Sequence, residues 1–300
     1  MSVDILLVNP VFLSQNEAER ELMSPYFPLG LLYLGAYLRE RGFSTEIFDG
    51  TFATDIKDFK DTLDRHNPKL VGITVVQPNR EMALTLARIA HEFGATVFLG
   101  GPDPTYTPHT YLADPAVDIV VHHEGELTLV ELLEAWRSGN LETKDYAQIQ
   151  GIAYRDPEGE FVINPRRSYI LNLDELPLPA RDLIDMEKYL ETWRELNGYA
   201  SLSISIARGC PYGCEWCLDA VHGQEFRLSS PESVVAEVKA MQQIYNIDRL
   251  RVVDDVDGIN REWIQAWNEV AESENTIVPF EALYEVQRKD IPMLDIRDSL

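Results

Sequence analysis

The sequence predicts an α/β protein in two halves: a doubly wound parallel sheet, followed by the first strands of a parallel (β/α) barrel. Two observations support this prediction. Short apolar runs alternate with helix-like patterns along most of the chain, which is the arrangement of strand–helix–strand units. All three cysteines of the 300-residue chain lie between Cys210 and Cys217, directly after one of those runs. We therefore expect a sheet domain at 1–140, a linker with a hairpin at 141–198 and a barrel segment at 199–300.

The first half contains five apolar runs that predict buried parallel strands, because strands covered on both faces lack polar alternation. Between the runs, apolar residues recur at helical spacing, and the first such pattern ends at Gly42, a residue suited to a helix C-cap. Five strands alternating with helices predict a doubly wound sheet. The predicted strands are 4–9, 45–48, 70–76, 96–99 and 118–121, and the predicted helices are 28–41, 56–65, 80–93 and 127–136.

Special residues gather where these strands end. In a doubly wound sheet the ligand crevice lies at the carboxyl ends of the strands. Glycine there either lets the backbone approach a large flat ligand or makes a turn, and spacing alone favours the turn. The residues at these ends are Asn9 and Pro10, Gln77, Gly100 and Gly101, and Glu124, Gly125 and Glu126.

The cysteine motif, Cys210-Pro-Tyr-Gly-Cys214-Glu-Trp-Cys217, predicts a metal centre. A cluster of four irons normally takes four thiolates, so three thiolates leave one iron open to a substrate or cofactor. Disulfides are disfavoured by the odd count and the short loops. Zinc is the alternative, because His222 follows soon after the last cysteine and would supply a fourth ligand. The glycines and proline of an open loop favour the iron–sulfur interpretation.

The second half begins like a parallel barrel, in which the chemistry lies at the C-terminal ends of the strands. The run 202–206 precedes the cysteine loop, and 249–253 predicts a strand that ends in Asp254 and Asp255. We expect at least one of these aspartates to contact a cofactor or substrate, with capping of the next helix as the alternative. The other predicted elements are helices at 230–245 and 260–272 and a strand at 276–283.

Composition excludes some functions. A net charge of −24 repels nucleic acid, which demands clustered lysine and arginine. No run approaches the roughly 20 apolar residues of a membrane span, and the first residues lack a signal-like segment. We therefore expect a cytoplasmic protein, in a compartment where thiols stay reduced.

The segment from Ala207 to Cys217, Ala-Arg-Gly-Cys-Pro-Tyr-Gly-Cys-Glu-Trp-Cys, resembles the signature of radical S-adenosylmethionine (SAM) enzymes. The resemblance implies a four-iron four-sulfur cluster whose open iron binds SAM, and reductive cleavage of SAM to a 5′-deoxyadenosyl radical. It also implies a protein electron donor such as flavodoxin or ferredoxin. The resemblance continues through Arg227, with one departure at Ser229, where the family often has a basic residue. The residues assigned by the resemblance are Cys210, Cys214 and Cys217 for the cluster and Tyr212 and Trp216 beside the adenosyl group.

Beside that signature, the first half resembles the cobalamin-binding, Rossmann-like domain that precedes many radical SAM barrels. The resemblance rests on Pro28 and Gly30 at the start of the first helix, on the paired glycines after the fourth strand and on Glu-Gly-Glu after the fifth. It implies that cobalamin binds over the strand ends. No Asp-x-His-x-x-Gly motif is present, so it implies no histidine below cobalt. His122 and His123 are interpreted as ordinary strand-end histidines, and contact of either with cobalt stays open.

The resemblance implies a cobalamin-dependent radical SAM enzyme that methylates an unactivated carbon of a small-molecule substrate. The radical would abstract a hydrogen atom, and methylcobalamin would deliver the methyl group. The alternative in the same superfamily is an oxidative cyclase of the anaerobic magnesium-protoporphyrin monomethyl ester type. The alternative from another class is a non-catalytic module that binds cobalamin or the cluster.

A complete radical SAM barrel has about twice as many strand–helix units as this sequence supplies. We consider three explanations: an incomplete sequence, a barrel completed by a second chain or by dimerisation, and a reduced protein that binds cofactors without turnover. An open half-barrel would expose a strand edge and apolar helix faces.

Overall fold

The computed structural model describes residues 2–15, 25–139, 146–215, 217, 221–255 and 260–282. Strands and α-helices alternate along most of this part of the chain. The strands are β1 (Ile5–Asn9), β2 (Thr45–Asp49), β3 (Leu70–Thr74), β4 (Thr96–Gly100), β5 (Ile119–Val121), β6 (Ile152–Arg155), β7 (Phe161–Ile163), β8 (Ser201–Ile204), β9 (Ala207–Arg208), β10 (Arg227–Leu228), β11 (Arg249–Val252) and β12 (Phe280–Glu281). The helices are α1 (Leu29–Glu40), α2 (Ile56–His66), α3 (Arg80–Phe93), α4 (Pro102–Tyr106), α5 (Pro108–Leu112), α6 (Glu126–Arg137), α7 (Met186–Asn197), α8 (Pro231–Ile244) and α9 (Arg261–Glu274).

The first half forms a seven-stranded sheet in the order β2-β1-β3-β4-β5-β6-β7. The first five strands in this order are parallel, and β6 and β7 add antiparallel to the edge. The predicted doubly wound sheet is confirmed, and the hairpin expected in the linker extends that sheet. The predicted boundary at 140 lies outside the described residues, so the domain limits stay predictions.

Two apolar cores explain why helices cover both faces of this sheet. On one face Phe59 and Leu63 of α2 pack with Ala83 and Leu86 of α3. On the other face α1 and α6 contribute another cluster, which includes Leu38 and Leu132. Full burial of one large apolar side chain contributes roughly 1.5–3 kcal/mol, so both helical layers are held by solvent exclusion.

The second half contains a parallel sheet in the order β12-β11-β8 and a short antiparallel ribbon formed by β9 and β10. Helix α8 begins as the sequence predicts: the Ser230 hydroxyl accepts a hydrogen bond from the Ser233 N–H (3.1 Å), and Pro231 occupies the first turn. Strand β12 is shorter than the predicted 276–283, whose last residue lies outside the described residues.

The two halves share a core. Phe27 and Leu32, from the start of the first domain, pack in the same cluster as Leu202, Val234 and Trp267 of the second. Helix α1 therefore contacts both sheets and sets their spacing. Among the described residues, no helix combines the length and apolar character needed to cross a bilayer.

Candidate active site between the two halves

A cavity of about 380 Å³ lies where the two halves meet. One wall consists of the carboxyl ends of β3, β4 and β5 with the first turns of α1 and α6. The opposite wall comes from the second half and includes residues that flank the cysteine loop, among them Arg208 and His222. The cavity thus occupies the crevice where parallel α/β sheets bind ligands.

The sequence-predicted residues of the first half divide into two groups. Those outside the cavity wall include Asn9, whose amide donates hydrogen bonds to Asp49 (2.9 Å) and Thr51 (3.1 Å) and so joins the ends of β1 and β2. Gln77 is exposed at the end of β3. Of the predicted residues, six line the cavity: Gly30, Gly100, Gly101, Glu124, Gly125 and Glu126. The other four lie outside its wall: Asn9, Pro10, Pro28 and Gln77.

Gly101 is at a position where only glycine fits. Its φ is +103°, and a Cβ placed on it would lie 2.8 Å from the carbonyl oxygen of Val75. The following turn is fixed by Asp103, whose carboxylate accepts two hydrogen bonds from the Arg80 guanidinium (2.8 and 2.9 Å). The backbone of the β4–α4 turn therefore forms part of the cavity wall without a side chain.

The cavity continues as an apolar slot between the sheet and helices α1 and α6. Leu7 and Phe98 of the sheet face Leu31 and Leu129 of the helices across it. Gly72, in the middle of β3, also lines the slot, and a Cβ placed on it would lie 3.2 Å from Leu7 Cδ2. Such a slot suits a flat apolar group.

The cysteine loop leaves β9 and returns through β10. The Cys210 N–H donates to the Gly223 carbonyl oxygen (3.0 Å), and the Cys217 N–H donates to the Cys214 carbonyl oxygen (3.1 Å). All three cysteines are free; Cys210 is buried, whereas Cys214 and Cys217 are exposed. Burial raises the pKa of the Cys210 thiol, although a hydrogen bond from the Tyr212 N–H opposes this shift.

The described side chains do not form a preassembled metal site. Within these ranges, no group of three or more histidine, cysteine or acidic side chains is arranged to hold a metal ion. Tyr212 is half-buried on the loop, and Trp216 lies outside the described residues. His222, the zinc alternative, instead has its Nδ1 3.4 Å from Glu124 Oε1.

A buried ion-pair network connects the two walls. Glu124 Oε1 accepts hydrogen bonds from Arg208 Nη1 (3.1 Å) and Arg227 Nη1 (2.8 Å), and its Oε2 accepts one from the Ile170 N–H (2.8 Å). Glu126 Oε1 accepts one from Arg208 Nη2 (2.6 Å). Burial alone would raise the pKa of Glu124, but His222, Arg208, the Ile170 N–H and Arg227 together lower it to about 2.

The two aspartates at the end of β11 have different environments. Asp254 is buried; its Oδ1 accepts a hydrogen bond from the Ser205 hydroxyl (2.7 Å), and its Oδ2 accepts bonds from the N–H groups of Ile206 (3.0 Å) and Ala207 (2.8 Å). Asp255 is exposed. Both line the cavity, but Asp254 also holds the backbone that leads from β8 into β9.

The histidines after β5 are also unlike each other. His123 lines the cavity with a φ of +64°, and its N–H donates to the Thr105 hydroxyl (3.1 Å). His122 is buried behind it with Nε2 lacking a hydrogen-bond partner. Burial and the neighbouring His123 lower the pKa of His122, so its imidazole is neutral near pH 7.

Comparison with known proteins agrees with this architecture. Residues 20–133 match the family model of the B12 binding domain. The chain is 33% identical over 263 residues to an uncharacterized methyltransferase of Pyrococcus horikoshii, covering 86% of this chain and 54% of that protein. It is 26% identical over 262 residues to the anaerobic magnesium-protoporphyrin IX monomethyl ester cyclase of Rubrivivax gelatinosus, covering 86% and 46%. The chain thus spans about half the length of the curated relatives it matches.

Solved structures share the fold of both halves. The cobalamin-dependent S-adenosylmethionine radical enzyme OxsB, with aqua-cobalamin and S-adenosylmethionine bound, matches 93% of this chain and 38% of its own, with a TM-score of 0.77 and 19% identity. The chain thus shares the fold of this enzyme over both halves, and its first half matches the B12 binding domain. The radical SAM methyltransferase TsrM of Kitasatospora setae, with cobalamin and a 4Fe–4S cluster bound, matches 92% of this chain and 52% of its own, with a TM-score of 0.70 and 21% identity.

Sequence patterns indicate the cysteine loop and the strand-end glycines, but they do not indicate the partners of the acids. Arg208 and Arg227 belong to the sequence prediction only as parts of a resemblance, although they bracket the cysteine loop in a chain with nearly twice as many acids as bases. Arginines that are buried at the ends of a loop need acidic partners, and this need is the signal in the sequence that could have indicated the ion pairs. The individual cofactor contacts stay predictions.

Proposed function

We propose that this protein is a cobalamin-dependent radical SAM enzyme that methylates an unactivated carbon of a small-molecule substrate. The observation that supports this proposal is the shared cavity, with strand ends of the half that matches the B12 binding domain on one wall and residues near the cysteine motif on the other. Placing two cofactors around one enclosed space aligns the reacting groups and excludes water.

The cavity residues fit cobalamin. Gly100 and Gly101 put bare backbone on the cavity wall, and the apolar slot beside Gly72 would take a flat apolar part of the cofactor. Leu7 and Phe98 would cover one side of that part, and Leu31 and Leu129 would cover the other. When bound, cobalamin supplies a transferable methyl group. The chain's own part is to hold the cofactor against the strand ends and to keep solvent from the cavity.

The donor set of the cysteine loop fits a 4Fe–4S cluster. Cys210, Cys214 and Cys217 are free thiols on one loop, and three thiolates leave one iron for SAM. An external reductant must supply the electron for SAM cleavage, and a flavodoxin or ferredoxin in a reducing cytoplasm is the partner that we propose. Completion of the barrel by further chain, by a second protein or by a dimer belongs to the same proposal.

The test is anaerobic reconstitution of the chain with iron, sulfide and cobalamin, followed by measurement of bound cofactors and of 5′-deoxyadenosine formed from SAM. We expect about four irons per chain and release of 5′-deoxyadenosine under strong reductant. Cys214→Ala should lose the iron but keep cobalamin, whereas the nearby Ser229→Ala should keep both. Equal iron in the Cys214→Ala variant would contradict the assignment of the loop.

A second candidate, oxidative ring formation, is favoured by the 26% identity to the cyclase of Rubrivivax gelatinosus. SAM with an isotope-labelled methyl group separates the two reactions once a substrate is found. Label in the product supports methyl transfer, and its absence supports cyclisation. Cofactor binding without any 5′-deoxyadenosine would instead favour a binding module.

A further inference from the structure

Two arginines form the neck of the cysteine loop. Arg208 ends β9, two residues before Cys210, and Arg227 begins β10, where it pairs with Arg208 across the antiparallel ribbon. Only 7% and 4% of their side chains are exposed. Two positive charges buried side by side would drive the ribbon apart unless anions lay between them.

The anions come from the other half of the protein. Glu124 and Glu126 follow β5, at the start of α6, and their side chains are only 6% and 5% exposed. Both oxygens of Glu124 are occupied, one by the two guanidinium groups and the other by the Ile170 N–H. Because a carboxylate so engaged must break these bonds to bind a cofactor, its partners decide its role.

The network also includes Ile170, which belongs to the bridging segment, the part of the linker that follows the β6–β7 hairpin. Arg227 Nη1 donates a hydrogen bond to the Ile170 carbonyl oxygen (2.8 Å), while the Ile170 N–H donates one to Glu124. Arg227 Nη2 donates to the His222 carbonyl oxygen (3.1 Å) inside the loop. Glu124 thus connects three separate segments: the strand end of the B12-binding half, the bridging segment and the neck of the loop.

We propose that Glu124 and Glu126 are positioning residues that clamp the neck of the cysteine loop to the B12-binding half and so fix the distance between the two cofactors. The functional meaning of this clamp rests on the proposed function, in which the loop holds the cluster. The two acids act through Arg208 and Arg227, and they bind neither cobalamin nor SAM.

The first experiment measures hydrogen–deuterium exchange of the full chain without cofactors. In Glu124→Gln and Glu126→Gln we expect the amides of 209–217, including the Cys210 N–H, to exchange roughly tenfold faster, because each substitution removes one of the two carboxylates that balance the buried guanidinium groups. The matched control is Glu131→Gln, on the same helix as Glu126, which removes an ion pair with Arg167 of the linker. Amides of β3 and β4 report the fold and should not change.

The second experiment uses the reconstituted protein and reads geometry rather than rate. Dipolar coupling between the reduced cluster and cobalt(II) cobalamin gives their distance distribution by pulsed electron paramagnetic resonance. We expect a single narrow distribution in the wild type and in Glu131→Gln, and a broader one in Glu126→Gln. Glu126→Asp, which keeps the charge, should recover most of the narrow distribution.

The outcomes separate this proposal from the proposed function. Unchanged loop exchange in both Gln variants overturns the clamp, and so does loss of cobalamin affinity by Glu126→Gln while the loop stays protected. If Glu124→Gln fails to fold, Glu126→Gln, which loses one contact only, decides the question. If the wild type binds no cluster, the proposed function fails, whereas the exchange result still supports or overturns the clamp.

Discussion

Asp254, at the carboxyl end of β11, offers a direct test of whether an acid at a strand end is structural. Its carboxylate accepts hydrogen bonds from the Ile206 and Ala207 N–H groups (3.0 and 2.8 Å) and from the Ser205 hydroxyl (2.7 Å). In Asp254→Ala the hydroxyl can turn to the Ala207 carbonyl oxygen, 3.1 Å away, but the two buried N–H groups have no replacement. At roughly 1–3 kcal/mol for each, the expected loss is about 4 kcal/mol.

Asp254→Asn should be much milder. The amide oxygen can still accept from both N–H groups, and the amide N–H₂ can donate to the serine hydroxyl, so only the strength that the charge adds is lost, about 1 kcal/mol. Asp255→Ala is the control, because its side chain is exposed, and it should stay within about 0.5 kcal/mol of the wild type.

The assay is thermal unfolding of the cofactor-free chain. At roughly 2 °C for each kcal/mol in a protein of this size, Asp254→Ala should lower Tm by about 8 °C and Asp254→Asn by about 2 °C. An unchanged Tm for Asp254→Ala would refute the structural reasoning. If that variant also lost SAM binding in the reconstituted protein, the direct cofactor contact expected from the sequence would be the better explanation.

Three further predictions concern the cavity and the seam between the halves. The pKa of Glu124 lies at about 2 against an ordinary 4.5, so above pH 4.5 the ionised carboxylate stabilises the fold by about 3 kcal/mol relative to the protonated one. This difference is lost as the pH falls towards 2, and the urea unfolding free energies of wild type and Glu124→Gln should therefore converge at low pH. Gly101→Ala should lower the free energy of unfolding by about 3 kcal/mol, through backbone strain and overlap with a carbonyl oxygen. Gly94 has a φ of +95° and open space around it, so Gly94→Ala should cost only about 1 kcal/mol from strain. Equal losses in urea unfolding would contradict the overlap. Arg181→Met should cost roughly 3–5 kcal/mol because it leaves Glu237 buried without its partner 2.6 Å away, and Arg181→Met/Glu237→Leu should recover most of that loss in the same assay.

The strands and helices were predictable because burial leaves a local pattern in the sequence. Every residue of β1 is buried, so its apolar run marks a central strand without further information. The edge hairpin is different: Phe161 and Ile163 of β7 are exposed, and nothing local says which sheet β6 and β7 join. Edge pairing depends on backbone hydrogen bonds with a distant strand, and those bonds leave no side-chain pattern.

The candidate site was likewise predictable only where neighbouring residues encode it. A cysteine loop and a glycine turn are encoded by neighbouring residues, so the sequence alone indicates Cys210 and Gly101. The partners of Glu124 are 84 and 103 residues away along the chain. An acid at a strand end predicts a cofactor contact when it is considered alone, and only the packing of the two halves brings Arg208 and Arg227 to it.

Buried ion pairs lie at the seam between the two halves, where apolar contacts alone would hold the halves together. Phe27 and Leu32 already bury apolar surface against Leu202 and Trp267, so adhesion does not require the ion pairs. Replacing buried ion pairs by well-packed apolar groups is often neutral or stabilising, and we therefore do not count this network as net stability. Apolar surfaces tolerate small rotations and shifts, because the hydrophobic effect is not directional. Paired guanidinium and carboxylate groups accept one geometry, and a misplaced pair leaves a charge buried without compensation. In the proposed function the cavity presents two cofactors to one substrate carbon, and the network around Glu124 supplies the dependence on geometry that this arrangement requires.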